Sequence, residues 1–143
     1  MFERYTEKAK RSVYFARYEA SQWGSWKIEV PHLLLGLVRE IFPSFHRVKD
    51  IDRSVLVKAI EALCTKGPEA VPEDLDMPVS DACNRVFILA AGEAERLGHR
   101  RIGTEHLLLG VLLENGPETE ILGKLGIGLD AAREKLMVPP PAI

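Results

Sequence analysis

Residues 5–40 of this chain align with residues 79–114 at a constant offset of 74, without a gap. Twelve of those 36 positions are identical: Arg11/Arg85, Ala16/Ala90, Glu19/Glu93, Ala20/Ala94, Gly24/Gly98, Ile28/Ile102, His32/His106, Leu33/Leu107, Leu34/Leu108, Leu35/Leu109, Gly36/Gly110 and Glu40/Glu114. Past residue 40 the match fades. It resumes with a shift of about two residues, pairing Ile51 with Ile127 and Ser54 with Asp130. A chain built from two like halves folds as two like units. The repeat therefore predicts one copy over 1–65 and a second over 79–143. Between them KGPEAVPEDLDMP, residues 66–78, is rich in proline and acid and reads as a solvated linker.

Each copy reads as helical. Thr6 and Ser80 suit an N-cap, and each precedes an acid that favours a helix start. The first helix carries Val13, Tyr14, Ala16, Arg17 and Ala20 in copy one. In copy two it carries Val86, Phe87, Ala90, Ala91, Ala94 and Leu97, a stripe at helical spacing. Gly24 and Gly98 stand where a left-handed glycine ends a helix. A second helix starts near Pro31 and near Glu105, with Thr104 as its expected cap in copy two. Its His-Leu-Leu-Leu-Gly run is apolar almost all round, which predicts burial on most sides. Gly36 and Gly110 lower helix propensity, so their recurrence predicts a close helix approach. Short helices are expected near 43–49 and 118–124, and others from Ser54 and Asp130. No segment alternates with period two, so the expected class is all-α. The expected architecture is two four-helix repeats, related by a pseudo-twofold axis, packed as one compact domain over 1–143.

Composition removes several functions. The net charge is −2, so no global basic field draws nucleic acid or an acidic membrane. No apolar run nears the ~20 residues that cross a bilayer. The start, MFERYTEKAKR, has no apolar stretch after its charges and does not read as a signal peptide. Two cysteines, Cys64 and Cys83, without CxxC spacing point to free thiols and a cytoplasmic location.

The sequence carries few residues arranged for chemistry. Gly98-His-Arg-Arg-Ile-Gly-Thr104 echoes a phosphate loop but lacks its lysine and follows a helix. His32 and His106 are repeat equivalents without Cys or carboxylate partners at ligand spacing. They read as first-turn histidines bonded to neighbouring backbone. Cys83, near a helix start, has alanine as its repeat partner and reads as packing. No catalytic residue, metal or cofactor is expected. Arg96, His99, Arg100 and Arg101 form either a solvated loop or an anion site beside the next helix start. Arg4, Lys8, Lys10 and Arg11 pose the same alternative in copy one.

The aromatics are lopsided. All but Phe87 lie in the first 45 residues. Trp26, Phe42 and Phe45 face Arg100, Gly116 and Thr119 in the repeat alignment, positions that read as surface. These three are the candidate partner surface, unless they cover copy one's own core or the seam between copies.

The residues assembled above resemble the N-terminal domain of the Clp family of protein unfoldases, over essentially the whole chain. The resemblance rests on Phe2, Arg4-Tyr5-Thr6-Glu7 and Ala9, and on Glu93-Ala94 with Arg96-Leu97-Gly98-His99. It rests above all on Ile102-Gly-Thr-Glu-His-Leu-Leu-Leu-Gly110, which is ClpC-like. Copy one, with Ile28-Glu-Val-Pro-His-Leu-Leu-Leu-Gly36, is closer to the ClpB-like form. The resemblance implies a double four-helix fold and a non-catalytic module that binds substrate or adaptor proteins for an ATP-dependent unfoldase. It also implies docking of phosphoarginine tags through Glu105 and Thr104, with Ser80 at the neighbouring helix start. Pro31 and Val30 replace the glutamate and threonine in copy one, so that site is expected to be lost. The chain is expected to be an excised domain or a free-standing protein of this type, monomeric in isolation. In the latter case it is an assembly or regulatory factor for a Clp ATPase ring or peptidase.

Overall fold

A computed structural model describes residues 2–74 and 76–136. Met1, Leu75 and residues 137–143 lie outside the described residues, and with them the outer ends of both expected repeats. Seven helices form among the described residues: α1 Glu7–Gln22, α2 Val30–Val48, α3 Arg53–Glu61, α4 Asp81–Arg96, α5 Thr104–Glu114, α6 Pro117–Lys124 and α7 Leu129–Leu136. The first two helices of each copy start 74 residues apart, and α3 and α7 start 76 apart, as the two-residue shift requires. None of these helices is long and apolar enough to cross a membrane.

Copy one has three helices where copy two has four because α2 is two helices fused at a kink. Ile41 leaves helical geometry there, at φ −132° and ψ 34°. Its repeat partner Asn115 sits left-handed at φ 59° and ψ 40° and separates α5 from α6. Pro43 and Pro117 follow at equivalent places. A proline lacks the amide that continues a helix, but suits the first turn of a new one. The break is thus written in both copies, and only its sharpness differs.

Local chemistry sets the ends. The Thr6 hydroxyl accepts from the Ala9 N–H and the Ser80 hydroxyl from the Cys83 N–H, each at 3.1 Å. Gly24 and Gly98 close α1 and α4 at φ +77° and +70°. Beyond them Ser25 and His99 donate back to the Ala20 and Ala94 carbonyls, the hydrogen bond of a glycine-terminated helix. Thr104 is not the expected cap. It is the first residue of α5, buried, and Gly103 holds the cap position.

α2 and α5 form the centre, with Leu33, Leu34, Leu37, Leu107, Leu108 and Leu109 fully buried. α1 lies along α2 and α4 along α5. Gly36 and Gly110 permit this: a Cβ would stand 2.2 Å from the Ser12 carbonyl oxygen and 2.6 Å from that of Val86. Ser12 and Val86 are themselves repeat partners. Two other identities pair across each helix couple: Arg11 meets Glu40 at 2.8 Å and Arg85 meets Glu114 at 2.9 Å. The segment expected to be a solvated linker is strapped to the end of α1. Gly67 donates to the Trp23 carbonyl and Val71 to that of Ser21, whose hydroxyl donates in return to Val71. Val71 and Met77 are buried, which holds the stretch down despite its prolines and acids.

Candidate recognition seams

The two copies clasp by exchanging their leading segments. Tyr5 bridges to Ile102, and Ile28 bridges to Val79. Adding the offset of 74 turns one bridge into the other. The hydrogen bonds obey the same rule: Thr6 donates to Ile102 at 3.0 Å, and Ser80 to Ile28 at 2.8 Å. Ile102 donates to Arg4 and Ile28 to Pro78, at 2.9 and 2.8 Å. Contacts of i with j and of j with i define a two-fold interface, here between halves of one chain.

This exchange decides which helix starts are neighbours. The start of α1 lies beside the start of α5, and the start of α4 beside that of α2. The expected trio is therefore split. Glu105 and Thr104 share one seam with Thr6, while Ser80 lines the other. The repeat offset reveals which residues are equivalent, but not whether they meet within a copy or across copies.

In the copy-two seam, Thr104 is buried and Glu105 half-buried. The Glu105 carboxylate folds back over Gly103, where a Cβ would stand 2.6 Å from its Oε2. No basic side chain among the described residues pairs with it. Arg4 crosses the seam to donate to the Arg100 carbonyl at 3.3 Å. The copy-one seam contains a cavity of about 240 Å³, walled by Glu29, Pro31, Thr65, Ser80 and Glu118. Pro31 stands there where Glu105 stands in copy two.

The paired histidines hold these helix starts in place, as expected for first-turn histidines bonded to backbone. His32 Nδ1 accepts from the Glu29 N–H at 3.0 Å, and His106 Nδ1 accepts from the Gly103 N–H at 2.8 Å. That role puts the ring proton on Nε2. In copy two, His106 Nε2 lies 2.9 Å from His99 Nδ1 and donates to it. Copy one has Ser25 at that place, and the buried His32 Nε2 has no partner among the described residues. Burial pushes His32 down to about 4 from its ordinary 6.5. Burial also lowers His106, with Glu105 opposing and His99 assisting. The unfolded chain takes up these protons first, so stability is complete above pH 6.5 and drains away as pH falls toward 4. His32 alone should remove on the order of 3 kcal/mol over that window. Urea melts between neutral pH and pH 4 should show this slope, and His32→Gln should flatten it.

Both thiols are pushed up by burial to about 12, in line with a packing role. The candidate partner surface is only partly intact. Trp26 is 69% exposed, Phe42 is half-buried beside His46, and Phe45 is fully buried. Phe45 lies one turn beyond the buried Ile41, on the same face, and with 0% exposure it offers a partner no surface. Tyr14, read above as part of the apolar stripe, is 52% exposed, and its repeat partner Ile88 is 63% exposed. No sequence pattern singles out Ile88, although its equivalence to Tyr14 follows from the offset. Nor does one single out Glu93 as a buried acid, held between Arg96 and Arg133. Burial pushes that carboxyl up, but the hydrogen bonds from the two arginines outweigh it and hold Glu93 below the usual carboxylate range.

Comparison with known proteins decides the family. The pattern described as the Clp repeat (R) N-terminal domain matches residues 4–125. The chain belongs to that Clp N-terminal domain family. It is 33% identical over 141 residues to the negative regulator of genetic competence ClpC/MecB of Bacillus subtilis, covering 96% of this chain and 17% of that protein. It is 32% identical over the same length to the chaperone protein ClpB of Oceanobacillus iheyensis, with the same coverage. This Clp domain thus spans about a sixth of the relatives it matches. Among solved structures, the N-terminal domain of the Clp-associated chaperone ClpD from Arabidopsis thaliana superposes with a TM-score of 0.76 at 28% identity, covering 96% of this chain and 97% of that one. The Hsp104 N-terminal domain from Candida albicans reaches the same TM-score at 16% identity, covering 93% and 89%, and shares the fold.

Proposed function

We propose that this domain is a non-catalytic recognition module that grips substrate or adaptor proteins for a Clp-type ATP-dependent unfoldase. The observation that carries the reading is the Clp N-terminal domain match across residues 4–125. Residues 1–65 and 79–143, joined by 66–78, act in this reading as one domain. We further propose that the copy-two seam docks phosphoarginine. Glu105 makes no ion pair with a lysine or arginine among the described residues and is half-buried, which suits a guanidinium through paired charge-assisted hydrogen bonds. The start of α1 at Thr6 lies beside it and suits the phosphate, as helix starts favour anions. Thr6 thereby takes the place expected of Ser80. Pro31 denies copy one the same chemistry.

Titration with phosphoarginine should move the amide signals of Thr6, Thr104 and Glu105, and Glu105→Gln should weaken binding about tenfold. Unmoved signals at millimolar ligand would remove tag docking while leaving the module reading intact. A pull-down with the 143-residue chain tests the module itself. Unfolded clients or adaptors support it. Ring or peptidase subunits alone would favour an assembly factor instead.

A further inference from the structure

We infer that Asn115 is a site of spontaneous deamidation, where the Gly116 backbone nitrogen closes on the Asn115 side-chain carbonyl. The sequence puts glycine directly after this asparagine, so no side chain shields the attacking nitrogen. The structure adds three features. Asn115 is exposed, and its left-handed φ of 59° is a conformation that L residues adopt at a cost. The Gly116 N–H makes no hydrogen bond among the described residues. The Val111 and Leu112 carbonyls, which a continuing helix would offer to Asn115 and Gly116, instead accept from the Thr119 hydroxyl at 2.9 and 3.3 Å. Finally, Asn115 and Gly116 border an open recess of about 640 Å³, which leaves the peptide unit and side chain room to turn.

The atoms balance without an oxidant or reductant. The Gly116 nitrogen loses its proton to solvent base and bonds to Asn115 Cγ. The side-chain amide leaves as ammonia, and a five-membered imide closes. Water then opens the ring at either carbonyl, giving aspartate or isoaspartate. One water is consumed and one ammonia released.

The chain's other asparagine, Asn84, lies inside α4 ahead of Arg85, where the helical ladder holds the next amide. It serves as an internal control. The consequence falls on α6. Isoaspartate adds a methylene to the main chain at the α5–α6 corner, and either product adds a carboxylate close in sequence to Glu114, Glu118 and Glu120. Glu118 is already buried, and burial, then Glu114 and Glu29, push its carboxyl up. Ageing at Asn115 therefore loosens α6. This site stands apart from the recognition reading.

The test incubates the purified chain at mildly alkaline pH in heavy-oxygen water and maps its peptides by mass spectrometry. The expected result is one heavy oxygen in the peptide holding Asn115, isoaspartate in excess over aspartate, and methylation by an isoaspartyl methyltransferase. The Asn84 peptide should stay unlabelled. Asn115→Gly keeps a residue at home in the left-handed corner and should abolish the label. An unlabelled Asn115 in the folded chain, alongside rapid labelling of a free peptide of the same sequence, would overturn the inference. So would equal labelling of Asn84, or label persisting in this segment of Asn115→Gly.

Discussion

Gly36→Ala is expected to destabilise the fold by about 2–3 kcal/mol, despite the better helix propensity of alanine. Two effects compete. Alanine in a helix interior gains ~1 kcal/mol over glycine. Against that, its Cβ would stand 2.2 Å from the Ser12 carbonyl oxygen and 2.9 Å from the Ala16 nitrogen. Both are backbone atoms, so no rotamer change relieves the clash, and α1 must move off α2. Overpacking costs about 1–3 kcal/mol and occasionally more, and a 2.2 Å approach to rigid backbone belongs at or just above the top of that range. Burial along the whole α1–α2 contact is weakened with it, so sterics win. Gly110→Ala should show the same sign with a smaller size, because its nearest contact is 2.6 Å. Gly92 is the control. Nothing lies within 4 Å of its Cβ position, so Gly92→Ala should stabilise by about 0.5–1 kcal/mol. Urea and thermal melts check all three, with Gly36→Ala lowering Tm by roughly 5–10 °C. Wild-type stability for Gly36→Ala would mean that the two helices do not approach this closely.

What the sequence made legible follows from what periodicity can encode. Helix positions were readable because apolar spacing recurs in both copies, with a hydroxyl cap and a glycine stop repeated at α1 and α4. The close approach at Gly36 and Gly110 was readable because a helix breaker recurred inside a helix. The pairing of seams was not. An offset of 74 makes Thr6 equivalent to Ser80, but equivalence holds whether a helix start meets its own copy or the other. Only the three-dimensional exchange of Tyr5 with Ile102 and Ile28 with Val79 decides it. Thr104 misled because threonine is a good cap by type, yet the helix starts one residue earlier, with Gly103 at the cap position and its N–H donating to the His106 ring. The strapped segment was hidden for another reason. Val71 and Met77 are two apolar residues among prolines and acids, too sparse to form a pattern, yet both are buried and the Ser21 bonds seat Val71.

Phe45→Ala should cost about 3–5 kcal/mol, the range for emptying a buried aromatic site. Trp26→Ser, by contrast, should leave stability within ~0.5 kcal/mol. The repeat invited the opposite expectation, because Phe45 aligns with Thr119 and threonine is a surface residue by default. Both residues serve the same break in different ways. In copy two the helix stops at Asn115, and the Thr119 hydroxyl accepts the task of satisfying the loose carbonyls of Val111 and Leu112 by donating to both. In copy one the helix only kinks at Ile41, and Phe45, 0% exposed, packs into the core one turn later. Removing Trp26, Phe42 and Phe45 together would therefore unfold the domain through Phe45 and say nothing about partners. The informative variant is Trp26→Ser alone, measured twice. Melting should be unchanged because a side chain 69% exposed has little burial to lose. Partner capture should fall if this ring is where another polypeptide lands. Full capture with Trp26 removed would shift attention to Tyr14 and Ile88, the exposed pair that the two-fold relation sets at equivalent places on α1 and α4.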